Sequence, residues 1–169
     1  LVEASKASSG ALNVELQPTD VNVLLSQIEG EYQERLAACQ LTLVTQPPAP
    51  GTVIRADSRL LSRVMDNLVS NICKYALPST RVYVVSTLSR EAVTISFKNV
   101  SRDELNISPD ELMERFVRGD ASRHTEGSGL GLSIARSLVQ LQGGRFDLAI
   151  DADLFRADIT FPLSESAAS

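Results

Sequence analysis

The chain has 169 residues, 43% apolar and 22% charged, with 16 Lys and Arg against 21 Asp and Glu for a formal charge of −5. At about 100–200 residues per domain this is one soluble domain, and its acid excess excludes a general binder of nucleic acid or anionic membrane, which needs surplus Lys and Arg to neutralise phosphates. The longest apolar runs, such as Val82-Tyr83-Val84-Val85, fall far short of the about 20 residues of a membrane-spanning helix, and Cys39 and Cys73 lack the spacing of a disulfide framework or zinc site, which fits a reducing compartment.

Residues 1–10 (LVEASKASSG) read as the end of an upstream helix and a Ser-rich linker, with Leu1 as the cut end of a longer chain. Leu12–Leu16 alternates as a short strand. Thr19 or Asp20 then caps a helix with Val21, Leu24, Leu25, Ile28, Tyr32 and Leu36 at helical spacing and an acidic exposed face. Strands over Leu41–Thr45 and Thr52–Ala56 flank a Pro-rich turn. A second helix runs from about Ser58 to Tyr75, capped by Asp57, with Leu61, Val64, Met65, Leu68, Val69 and Ile72 as its buried stripe and Pro78 beyond its end.

Residues 81–88 and 92–99 alternate as an antiparallel hairpin. Residues 100–126 are polar, with one short helix signalled by Ser108-Pro109-Asp110-Glu111, and a connection of this length is usually functional or disordered. After Gly127-Ser128-Gly129-Leu130-Gly131-Leu132 a third helix, with Ile134, Leu138 and Leu141 inward, runs to about Gln142 and stops at Gly143-Gly144. Strands over Arg145–Ile150 and Arg156–Leu163 close the domain, and residues 164–169 form a frayed tail. Strands that outnumber helices without alternating with them predict an α+β fold. It is a two-layer sandwich of a mixed, largely antiparallel sheet with about three helices on one face.

Charge is uneven along the chain: residues 58–90 hold five basic groups and one acidic, the only net-positive stretch. An island of this kind suits a small polyanion, although scattered solvated Lys and Arg would give the same count. On the second helix Asn67, Asn71 and Lys74 share one face, with Arg63 a turn earlier. An Asn carbonyl oxygen can ligate a hard cation such as Mg²⁺, and Lys supplies a point charge for phosphate; a plain solvated helix face shows the same pattern. The Gly127–Leu132 run precedes a helix, where glycines admit close backbone approach and the first N–H groups form an anion site; a tight packing turn is the other reading. The run lacks the Lys-Ser/Thr of a P-loop and the spacing of a dinucleotide fingerprint.

Asp57-x-x-x-Leu61, Asn67-Leu68-Val69-Ser70-Asn71-Ile72-Cys73-Lys74-Tyr75, Phe116-Val117-Arg118 and Gly127–Ala135 resemble, in order and spacing, the N, F and G2 boxes of sensor histidine kinases. The resemblance is to their catalytic and ATP-binding domain, covers nearly the whole chain, and implies the Bergerat (GHKL) fold shared with gyrase, a heat-shock chaperone and mismatch-repair ATPases. It implies that residues 11–163 are the ATP-binding domain, residues 1–10 the end of a dimerisation helix with its linker, and residues 100–126 a mobile lid anchored by Phe116. It further implies that Asn71 ligates Mg²⁺ and Asn67 contacts phosphate or metal-bound water. Lys74 and Tyr75 would line the phosphate and ribose side, and Arg118 would reach ATP from the lid. The backbone of Gly127, Ser128, Gly129, Leu130, Gly131 and Leu132 would wrap the phosphates.

The family's G1 box is D-x-G-x-G; here Phe97-Lys98-Asn99-Val100-Ser101 puts Asn99 at the adenine-binding position, where it keeps an acceptor and loses the charge. Asp153-Leu154-Phe155 stands where the family has Gly-Thr. Gyrase-like ATPases place a water-activating Glu four residues before the metal-binding Asn; Asn67, a neutral amide, cannot act as general base, so rapid hydrolysis is not expected. The single histidine, His124, falls in the lid, and the phosphoacceptor belongs to the upstream helices.

The resemblance thus implies a cytoplasmic histidine kinase module of two-component signalling, the soluble part of a membrane-anchored sensor. Its cofactors are ATP and Mg²⁺, and its partners its own dimerisation helices, in a homodimer, and a cytoplasmic response regulator. The alternative is a non-catalytic docking module with a degenerate nucleotide site, and the departures at Asn99 are the feature that separates the two.

Overall fold

The computed structural model describes residues 13–105, 108, 110–111, 113 and 130–164. Chain order is β1 (Gln17–Asp20), α1 (Val21–Ala38), β2 (Leu41–Gln46), β3 (Val53–Ala56), α2 (Ser58–Tyr75), β4 (Thr80–Leu88), β5 (Ala92–Val100), α3 (Leu130–Leu141), β6 (Arg145–Asp151) and β7 (Leu154–Pro162). These form the expected α+β sandwich.

Both long helices begin at an extended Asp whose carboxylate satisfies the first free N–H groups. Asp20 accepts from Asn22 and Val23, and Asp57 from Arg59 and Leu60. The choice between Thr19 and Asp20 thus falls on Asp20. On α1 the buried residues are Val21, Leu24, Leu25, Ile28, Tyr32 and Leu36, the stripe that helical spacing predicts. Gln40, at φ 62°, turns the chain into β2, and α2 ends where Ala76 becomes extended before Leu77-Pro78.

The main sheet has the order β2-β4-β5-β7-β6, with β2 parallel to β4 and every other pair antiparallel. Its apolar face, including Val82, Val84, Val93, Ile95, Phe97, Phe155, Ala157, Ile159 and Phe161, is buried in the core shared with the helices. The other face is polar: Thr94 meets Thr160 at 2.9 Å, and Ser96 donates to Asp158 at 2.6 Å, with Arg156 on the same carboxylate. At the hairpin between β4 and β5, Ser89 bridges to Ala92 through both its N–H and its hydroxyl.

Three expectations are corrected. The first strand is Gln17–Asp20, antiparallel to β3 in a separate two-stranded sheet, rather than Leu12–Leu16. The Glu15 N–H is spent on the Asp57 carboxylate (2.9 Å) instead of a ladder, whereas Asp20 must already be extended to cap α1. The third helix takes in Leu130, Gly131 and Leu132, which were read as part of the turn. Its buried side chains are Leu132, Ala135, Leu138 and Val139, while Ile134 and Leu141 are half-buried at the rim.

In the stretch after β5 the Ser108 hydroxyl accepts the Glu111 N–H at 3.1 Å, the capping bond its sequence signals, and Met113 is buried. Ser164, assigned to the tail, donates its N–H to Val53 at 2.8 Å. Among the described residues no helix is long and apolar enough to cross a membrane.

Candidate nucleotide site

The polar face of α2 exists because its apolar stripe faces the sheet and α3, leaving Asn67, Asn71 and Lys74 on the flank. Asn71 is 9% exposed; Asn67, Lys74 and Tyr75 are half-buried. The Lys74 ammonium lies 5.5 Å from the centre of the Tyr75 ring, a cation–π arrangement that holds both at the helix end. Arg63, a turn before Asn67, is exposed.

Helix α3 packs along this flank. At Gly131 a Cβ would stand 3.9 Å from both Cβ and Oδ1 of Asn67, so two residues 64 positions apart face each other across the α2–α3 seam. The next residue, Leu132, is fully buried; its side chain belongs to the core, and only its backbone is available to a ligand. Asn67 also opens onto a cleft of about 450 Å³ whose other walls include Tyr32 and Glu31 of α1, Arg63 and Ile134. Burial first, then the Glu31 and Asp66 charges, push the Tyr32 phenol up to about 12, so it stays protonated at physiological pH.

The far end of the site is built where β5 leaves the sheet. Leu77 donates to Val100, Arg102 to Tyr75, and the Arg102 guanidinium to the Lys74 carbonyl at 3.0 Å. These bonds clamp the C-terminal turn of α2 to the residues just beyond Asn99. Asn99 itself shares the buried side of β5 with Phe97 and Ile95, is 3% exposed, and its Oδ1 has no hydrogen-bond partner among the described residues. A buried acceptor without a donor costs about 1–3 kcal/mol, and such an atom invites a donor from outside the protein.

Sequence reasoning missed Arg102, whose only signal is its place directly after the altered glycine box, and Tyr32, which reads as an ordinary core residue of α1. Arg118, Gly127, Ser128 and Gly129, together with Phe116 and His124, lie outside the described residues. Leu130 is placed as the first residue of α3. Among the described residues no three of His, Cys, Asp or Glu gather as a metal-binding cluster.

The family described as histidine kinase-, DNA gyrase B- and HSP90-like ATPase matches residues 56–165, and the chain belongs to it. Among curated relatives, the probable sensor protein PcoS of Escherichia coli is 28% identical over 142 residues, 83% of this chain and 30% of that protein. The signal transduction histidine-protein kinase BaeS of Escherichia coli K12 is 31% identical over 151 residues, 86% of this chain and 31% of that protein. The chain therefore spans about a third of the length of these sensor kinases. Among solved structures, the catalytic domain of the histidine kinase ThkA superposes with a TM-score of 0.73 at 21% identity, covering 88% of this chain and 95% of that one. The fold is thus that of a histidine kinase catalytic domain.

Proposed function

We propose that the chain is the ATP-binding catalytic domain of a sensor histidine kinase. In this reading it holds Mg²⁺-ATP between α2 and the start of α3 and presents the γ-phosphate to a histidine on its own dimerisation helices. The observation that carries it is the meeting of Asn67 with Gly131: the amide-bearing face of α2 packs against the first turn of α3, which begins directly after the glycine-rich run in the sequence. Two features fit a nucleotide: the missing Cβ at Gly131 leaves room beside Asn67, and the orphaned Asn99 Oδ1 is an acceptor suited to an adenine amino group.

In this reading the Asn71 carbonyl oxygen would ligate Mg²⁺, a hard cation that takes oxygen ligands and keeps several waters. Bound Mg²⁺ supplies neutralisation of charge on the phosphate oxygens. Asn67 orients phosphate or metal-bound water, and Lys74 places its ammonium on the phosphate side with Tyr75 beneath it. By the family resemblance, Arg118 and the backbone of residues 127–132 would contact the phosphates. Asn67 is a neutral amide, which withholds a general base from water; positioning and electrostatics then favour transfer over hydrolysis. In this reading, by family resemblance, the full-length protein is a homodimeric membrane-anchored sensor with this domain on the cytoplasmic side, and a response regulator is the next acceptor.

Calorimetry with an ATP analogue and Mg²⁺ tests the site, with Asn71→Ala expected to abolish the Mg²⁺-dependent part of binding. Restoring the upstream helices tests the transfer: a protein that binds ATP and never labels a histidine refutes the kinase assignment.

A further inference from the structure

The two cysteines come together in the fold. Cys39 is the C-cap of α1 and Cys73 lies in the last turn of α2; both are half-buried and free. The Cys73 Sγ stands 3.9 Å from the carbonyl of Arg35, one turn before Cys39 on the same face of α1, and the two thiols are within hydrogen-bonding reach of each other. The pair is held in register by Arg35, whose guanidinium reaches Asp66 at 2.6 Å and the Ser70 hydroxyl, both on α2. Both sulfurs thus sit where the end of α1 packs on the last turn of α2, on two helices already held together.

We propose that Cys39 and Cys73 are a peroxide-oxidisable pair that closes to a reversible intramolecular disulfide, stapling the end of α1 to the last turn of α2. Hydrogen peroxide takes two electrons from the Cys39 sulfur, giving a sulfenic acid and one water. The Cys73 sulfur then attacks it, the S–O bond breaks as the S–S bond forms, and the hydroxyl leaves with the Cys73 proton as a second water. The loop closed, residues 39–73, contains β2, β3 and most of α2, so the bond removes much chain entropy from the unfolded state. None of this depends on nucleotide.

The test treats the folded chain with dilute hydrogen peroxide and maps its disulfides by mass spectrometry. Expected is a monomer lighter by two hydrogen atoms, a cross-linked peptide pair containing Cys39 and Cys73, reversal by dithiothreitol, and a Tm raised by about 5–15 °C. In Cys73→Ser, dimedone should trap a sulfenic acid on Cys39, and Cys39→Ser should form no internal bond. Maleimide labelling of the wild-type chain before and after peroxide gives a readout that needs no variant. Both thiols still open to labelling, a bond between two chains instead of within one, or a mapped internal bond with no rise in Tm would each overturn the proposal.

Discussion

Asn99 offers the sharpest experiment, because stability and affinity should move in opposite directions there. The side chain is 3% exposed and its Oδ1 lacks a partner among the described residues, so the protein without nucleotide carries a penalty of about 1–3 kcal/mol at this atom. Asn99→Leu keeps the branched outline of the side chain and removes the polar group. At about 2–4 °C per kcal/mol for a domain of this size, the nucleotide-free Tm should rise by about 2–12 °C. The same change leaves the adenine amino group desolvated without an acceptor, a loss of about 1–3 kcal/mol, or about 5- to 150-fold in the Kd of an ATP analogue. Thermal unfolding without nucleotide and calorimetry with it measure the two effects on one preparation. A Tm that falls, or an unchanged Kd, refutes the reasoning: the first makes Asn99 a structural residue, the second removes it from the site.

Gly131→Ala should leave the fold intact, since the added methyl finds Asn67 at 3.9 Å, an ordinary contact, but should weaken analogue binding; unchanged binding returns this glycine to a packing role. Gly144→Ala should lower Tm by several degrees through about 1–3 kcal/mol of overpacking, since its methyl would meet Val139 at 2.9 Å, the Thr160 carbonyl oxygen at 3.0 Å and Phe161 at 3.1 Å. At Asp57 burial pushes the carboxyl up, but hydrogen bonds from the Glu15 N–H, the Arg59 side chain and the Leu60 and Arg59 N–H groups outweigh it and hold it below its ordinary value. Its stabilisation is therefore present above the unfolded value of 3.8 and lost as pH falls through the depressed folded one. Urea midpoints across about pH 2–5 should fall more steeply with acid for the wild type than for Asp57→Asn, and equal slopes would exclude the carboxylate.

The amino-acid order alone determined what is local. Asp57 before an apolar stripe, the Ser89 turn between two alternating runs and the Ser108 capping bond are settled by interactions within a few residues, and their spacing shows them directly. The boxes around Asn67, Asn71 and Gly127–Leu132 carry their family resemblance for the same reason. Tertiary structure decided what depends on neighbours distant in the chain. The parallel pairing of β2 with β4, the pairing of β1 with β3 in a second sheet, and the inclusion of Gly131 and Leu132 in α3 follow from which strand or helix lies alongside. The same holds for the approach of Gly131 to Asn67, the orphaned oxygen of Asn99 and the meeting of Cys39 with Cys73. Each is a product of packing between segments remote in sequence, and one-dimensional spacing carries no record of such contacts.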